Sequence, residues 1–228
     1  MKAAAAMVCR LAARLALALA GLVALAGCNT LSVGQVEPAL FPAAEAASAP
    51  PLAGRLALVM TPALRAQTHA GPAKEVDLLK RLELPLGAVV DTALQRQLAA
   101  EFSGGVQPAA LPLPLPVDAG IDLAVVVSAA RLDMNVHLNW TFAPIAKSVD
   151  HVATLALDLQ ITDAGGRLLV TTTVDSGRVV LERGVWTMET RMELNQKLLH
   201  QAAWQAAAQA ARVARKTLQA ELRRERAL

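Results

Sequence analysis

The residue that most invites chemistry in this chain is Cys28. It follows Leu25, Ala26 and Gly27 at the end of an apolar run over residues 15–26. Ala26 and Gly27 are slim, as a peptidase requires to reach the backbone before a cysteine. The other chemically capable residues are scattered. His69, His137, His151 and His200 fall at no metal-ligand spacing, and no phosphate loop, dinucleotide fingerprint or hydrolase motif occurs. His137 and His151 can neighbour one another across a hairpin, where both are expected at the surface. Asp175, Ser176 and Gly177 adjoin, but no histidine is placed to complete a triad. Asp133, Asp158 and Asp175 read as the solvent face of strands. The chain is therefore expected not to be an enzyme and to carry neither metal nor cofactor.

The run that positions Cys28 has three parts. Lys2, Arg10 and Arg14 supply positive charge, residues 15–26 supply apolar length, and the small pair precedes the cysteine. A dozen apolar residues are too few to span a bilayer, which takes about 20. Met7 can serve as an alternative start, because a signal beginning there is already complete. An ordinary secretory signal or a short membrane anchor would share these parts. Leu25, Ala26, Gly27 and Cys28 resemble the bacterial lipobox at all four positions. The resemblance implies diacylglyceryl transfer to the Cys28 thiol, cleavage before Cys28 and acylation of the new amino terminus. Several acyl chains anchor a protein stably where one holds it only marginally. In that family Asp after the cysteine retains a protein at the inner membrane. Asn29 stands here, which implies the outer membrane, with the domain facing the periplasm.

The expected organisation is a signal over residues 1–27, a lipidated cysteine with a Pro/Ala tether over 28–54, and one domain over 55–228. Loss of Lys2, Arg10 and Arg14 takes the 22 basic residues to 19, equal to the 19 acidic ones. A near-neutral chain removes the simplest support for nucleic-acid binding. The charge is uneven: from Arg212 onward six basic residues face two acidic ones. This suits the negative end of a helix dipole, or a patch meeting an acidic partner or lipid headgroups. Cys9 leaves with the signal and Cys28 is modified, so no disulfide is expected. With no tyrosine, three Phe and three Trp, the core must be built of Leu, Val and Ala.

Pro38, Pro42, Pro50 and Pro51 punctuate a stretch without period, which reads as a solvated linker reaching about 25–30 Å as a coil. Residues 55–60 read as a first strand, ended by Thr61 and Pro62. Residues 65–84 are mixed, with a turn at Gly71 and Pro72. A helix starts near Pro85, carries Leu86, Val89, Val90, Ala93, Leu94, Gln97 and Leu98 on one stripe, and ends at Ser103, Gly104 and Gly105. Residues 111–116 alternate Leu and Pro, as in an extended strap along a sheet edge. Residues 121–127 are almost uniformly apolar, Asp122 excepted, as in a strand covered on both faces. Strict alternation then begins at Leu132. The returning strand turns Ala153, Leu155, Leu157, Leu159 and Ile161 inward. After a turn over residues 163–166, a third strand over 167–181 turns Leu168, Val170, Thr172 and Val174 inward. Thr190 and Glu193 fit a capping box for a helix running to about Arg224, about 50 Å long.

The order strand-helix-strand-strand-strand-helix predicts a two-layer α+β domain: an antiparallel sheet of about four strands covered on one face by two helices. This layout resembles several small outer-membrane lipoproteins: the one that plugs the lipopolysaccharide translocon, uncharacterised ones of the same layout, and auxiliary lipoproteins of envelope transporters. The likeness spans residues 25–220 as architecture and 25–28 as a motif. The proline strap and the long final helix depart from it. It implies a non-enzymatic accessory or scaffold subunit of an outer-membrane assembly or transport complex. Its partners would be outer-membrane lipid through acylated Cys28 and an envelope protein or a second copy. A periplasmic module binding lipid or another apolar ligand is the alternative. Leu138, Trp140, Phe142 and Ile145 gather at the far end of the long hairpin, where an apolar patch would mark a partner contact with Trp140 as anchor.

Overall fold

The computed structural model describes residues 30–32, 35–42, 50–70, 81–110, 120–140, 146–184 and 191–227, with side chains left aside at 30–32, 81–82, 138–140, 146–147, 183–184 and 191. Numbered along the chain, the strands are β1 (Thr30–Ser32), β2 (Leu56–Met60), β3 (His69–Ala70), β4 (Arg81–Leu84), β5 (Val106–Ala109), β6 (Leu123–Trp140), β7 (Ala146–Asp163), β8 (Leu168–Asp175) and β9 (Val179–Gly184). The helices are α1 (Pro62–Arg65), α2 (Leu86–Glu101) and α3 (Arg191–Glu225). The chain divides into two compact units, Met1–Val33 with Ala70–Glu83, and Gly34–His69 with Leu84–Leu228. The first has three short strands in the order β1-β4-β3, with Thr30 opposite Arg81 in a parallel pair.

The second unit is α+β and holds a six-stranded mixed sheet. Its order is β5-β2-β6-β7-β8, and β9 also pairs with β7. This corrects the expected antiparallel sheet of about four strands. β2 runs parallel to both neighbours, Leu56 lying opposite Val106 on one side and Leu123 on the other. A parallel pair needs a crossover, and α2 supplies it between β2 and β5. Parallel strands are buried on both faces, which is why all five residues of β2 are apolar and all are buried. β5 escaped sequence reading because Gln107 and Pro108 do not look like a strand. At a sheet edge, proline is tolerated.

Thr61 and Pro62 do more than stop β2. The Thr61 hydroxyl accepts a hydrogen bond from the Leu64 amide at 3.1 Å and caps α1, with Pro62 in its first turn. α2 buries Leu86, Gly87, Val89, Val90, Ala93, Leu94 and Leu98, the expected stripe with Gly87 added and Gln97 left half-buried. The Phe102 amide closes its last turn on the Leu98 carbonyl, and Gly105, at φ +86°, turns the chain into β5.

β6 and β7 form the expected long hairpin, each of 18 residues. In β7, Ala153, Leu155, Leu157, Leu159 and Ile161 are all buried to 1 % exposure or less. In β6, Leu123–Val127 are buried throughout; beyond a bulge between Val127 and Ala129, Leu132 and Met134 are half-buried. The third expected strand is two. β8 pairs with residues 156–162 of β7, and β9 pairs with residues 148–153, end to end along one partner. Ser176 and Gly177 make the break. The Ser176 amide donates to the Leu155 carbonyl at 2.8 Å, its hydroxyl accepts from the Leu155 amide at 3.0 Å, and Gly177 takes φ +65°. Leu168, expected inward, is 56 % exposed, because it begins β8 beside the turn rather than over the core.

α3 runs 35 residues and packs against α2 and the sheet. Its inner face is Leu194, Leu198, Leu199 and seven alanines between Ala202 and Ala214, all 2 % exposed or less. Alanine lets two backbones approach closely without loss of side-chain entropy. The Gly71 turn, the Leu/Pro strap and Thr190 of the capping box lie outside the described residues.

Candidate functional site

Cys28, Phe142 and Ile145 lie outside the described residues, as do the side chains of Leu138 and Trp140. The backbone places the last two at the far end of β6, Leu138 opposite Val149 and Trp140 opposite Ala146. Nearby, Val136 of β6 is 41 % exposed and Val180 of the adjoining β9 is 42 %.

The segment that leads back toward Cys28 meets the domain at a place sequence reasoning missed. Residues 35–42, read as solvated linker, include a single 3-10 turn, Pro38–Leu40, and then Phe41, only 7 % exposed. The Phe41 ring lies edge-on to His200, 5.8 Å from the Trp204 ring, and under the Arg96 guanidinium at 5.0 Å. Arg96 also donates to the Pro38 carbonyl at 3.3 Å. His200 and Trp204 stand one helical turn apart on α3, so both reach the same side. Further on, Leu52 exchanges backbone hydrogen bonds with Glu101 and Ser103 at 2.8 and 3.0 Å, and Arg215 donates to the Pro50 carbonyl at 2.8 Å. The tether is thus held on α2 and α3 at two points. The available signal was Phe41 as the one aromatic residue between 28 and 54.

His200 is 1 % exposed. Its Nδ1 lies 2.7 Å from the Gln196 carbonyl, and Nε2 has no partner. Burial pushes its imidazole below the ordinary histidine range, against the opposing pull of the Gln196 carbonyl and of Glu37. His69 is lowered by the same cause, with Asp133 opposing. His137 is exposed as expected, but His151 is 4 % exposed, not a surface residue, because β7 is flanked by β6 and β9 at that point. Among the described residues no three potential ligands converge on a metal position.

A cavity of about 310 Å³ opens between the start of β6, the β7–β8 turn and the end of α3. Charge lines it. Arg167 pairs with Asp163 and with Glu221, both at 2.8 Å, and Glu221 also takes Arg224. Burial pushes the Asp163 carboxyl up, but hydrogen bonds from the Arg167 amide and guanidinium outweigh it and hold the group below the usual carboxylate range. Arg131 grips Asp158 with two hydrogen bonds on the exposed sheet face and lowers its carboxyl too, with help from Thr173. These are closed ion pairs on structural elements; the buried Thr162 hydroxyl beside Asp163 has no hydrogen-bond partner.

No family model matches the chain, and no curated protein does. Solved structures with a similar course include a Xanthomonas campestris protein of the family DUF330, at 13 % identity, covering 85 % of this chain and 98 % of that one, with a TM-score of 0.44. A minor lipoprotein of Acinetobacter baumannii gives 15 % identity, 73 % and 94 % coverage, and 0.39. The rare lipoprotein B of Shewanella oneidensis gives 10 %, 74 % and 98 %, and 0.40. At these identities and scores the likeness assigns neither family nor function.

Proposed function

We propose that this chain is a lipid-anchored protein of the bacterial outer membrane, serving without catalysis as an accessory or scaffold subunit of an envelope assembly or transport complex. The observation that carries this reading is Leu25, Ala26, Gly27 and Cys28 closing a basic-flanked apolar run. Among the described residues no helix is long and apolar enough to cross a membrane, so attachment falls to the acyl chains. The polar groups with assigned partners serve the fold: buried Ser176 at the β8–β9 break, half-buried Thr61 at a helix start and half-buried Arg215 between α3 and α2. Binding of an apolar ligand is the weaker reading, since the ion pairs of Arg167 with Asp163 and Glu221 share the lining of the cavity between β6 and α3 with its apolar side chains.

Metabolic labelling with a fatty acid, followed by in-cell crosslinking of a C-terminally tagged chain, tests the reading. The label is expected on the wild type and absent from Cys28→Ala, and a stoichiometric envelope partner is expected to be lost with it. A chain that takes no label and crosslinks to nothing defeats the proposal. Trp140→Ala separates the contact from the fold: as the anchor of the hairpin-tip patch it loses the partner and keeps the wild-type unfolding midpoint.

A further inference from the structure

The outer side of α3 carries a charge pattern that the fold does not consume. At 100° per residue, Arg212, Lys216 and Arg223 fall within about 40° of one another around the helix. All three are exposed, as is Arg226 just past the helix end. The acidic residues of the same segment, Glu221 and Glu225, lie about 140–180° away from Arg212. Two other arginines are already used: Arg215 binds Glu101 at 2.7 Å and Arg224 binds Glu221 at 2.8 Å. Among the described residues no carboxylate pairs with Arg212, Lys216, Arg223 or Arg226. A row of like charges with no counter-charge repels itself, and it gains when an external anion is brought to it.

We propose that the stripe Arg212, Lys216, Arg223 and Arg226 docks the domain on anionic phospholipid headgroups of the membrane that holds Cys28. The proposal rests on the lipid-anchored reading. Three features favour a headgroup surface over an acidic protein. The stripe is straight, about 16 Å from Arg212 to Arg223, which suits a plane. The exposed large apolar residues of the described structure are Val136, Leu168 and Val180, none of them on α3. A protein interface needs apolar or aromatic anchors at its centre, whereas attraction to an anionic membrane needs only the charge. Finally, the tether touches α3 within one turn of Arg212, where Arg215 donates to the Pro50 carbonyl at 2.8 Å.

The test uses the lipidated full product, purified in detergent and placed on vesicles of phosphatidylcholine alone or phosphatidylcholine mixed with phosphatidylglycerol. The readout is the rate at which a water-soluble amine reagent modifies Lys216. Each basic residue near an anionic surface contributes about fivefold to association, so Lys216 is expected to react at least about fivefold more slowly on anionic vesicles. High salt restores the neutral-vesicle rate, because the contact is screened within a Debye length. The exposed triple variant Arg212→Gln, Arg223→Gln, Arg226→Gln loses the protection at an unchanged unfolding midpoint. Equal rates on both vesicles overturn the proposal. If equal rates on vesicles accompany protection in isolated envelopes, an acidic protein takes the place of lipid. The mass of the amino-terminal peptide reports the anchor separately. An unacylated chain that still floats with anionic and not neutral vesicles keeps the stripe and refutes the anchor.

Discussion

The Phe41 ring meets the His200 imidazole edge-on, with centroids 4.8 Å apart and planes at 64°. One residue of a proline-punctuated stretch thereby closes over a histidine buried on α3. A phenylalanine removed from a buried site costs about 3 kcal/mol when the gap does not collapse. Phe41→Ala is therefore expected to lower the unfolding free energy by that amount, read as a fall in the urea midpoint at unchanged slope, and to speed amide exchange across residues 35–42. Unchanged exchange there would mean that the contact does not hold the segment.

The same pair sets a pH dependence. His200 and His69 are both held neutral by burial, with folded pKa values below 6.5. The unfolded chain then binds more protons than the folded one between the folded and unfolded values, so stability rises with pH in that window. Stability is complete above pH 6.5 and declines as pH falls below it through the folded values. Denaturation across this range is expected to show the slope, and His200→Asn to reduce it without removing it, since His69 remains. A slope untouched by His200→Asn excludes this histidine as the source.

Gly104 stands where the end of α2 crosses the strand leading into β2. A Cβ at Gly104 would meet the Gly54 carbonyl carbon at 2.6 Å and the Arg55 amide nitrogen at 2.9 Å. Backbone atoms cannot swing aside as a side-chain tip can. Gly104→Ala is expected to cost about 3 kcal/mol through overpacking, read as a drop in Tm, and Gly87→Ala to behave alike, its Cβ meeting the Arg65 carbonyl oxygen at 2.6 Å.

Arg215 joins three parts at once: α3, Glu101 at the end of α2 and the Pro50 carbonyl of the tether. Lysine keeps the charge but lacks the second arm of the fork. Arg215→Lys is expected to cost about 1 kcal/mol and to free the Pro50 end, which limited proteolysis near residue 50 measures against the wild type.

Elements with a strong local period could be read from the sequence. Leu155, Leu157, Leu159 and Ile161 alternate so cleanly that their burial followed, and the stripe of α2 needed only Gly87 and Gln97 adjusted. Elements defined by distant partners could not. β2 was legible as a strand, yet its parallel pairing with Leu123–Val127 depends on chain more than sixty residues away. β8 and β9 read as one strand because alternation continues on both sides of Gly177, and only its positive φ divides them. The tether contact was hidden for a different reason. A single Phe41 carries no period, and its partners His200 and Trp204 sit on a helix far along the chain. Of the candidate site, Cys28 rests on its motif alone, and the hairpin-tip side chains lie beyond the described residues.

The parallel position of β2 has a consequence for synthesis. Its five apolar residues are made first, but β5 begins only at Val106 and β6 at Leu123. At ~5–20 residues per second, Leu56–Met60 waits about 2–9 s for β5 and about 3–13 s for β6. Such a segment, wholly apolar and without charge, is prone to pair with another copy of itself. Arg55 and Pro62 flank it, a charge on one side and a proline in the first turn of α1 on the other, in the manner of gatekeepers that discourage that pairing. The nascent chain thus carries its own guard against clumping until the long hairpin arrives.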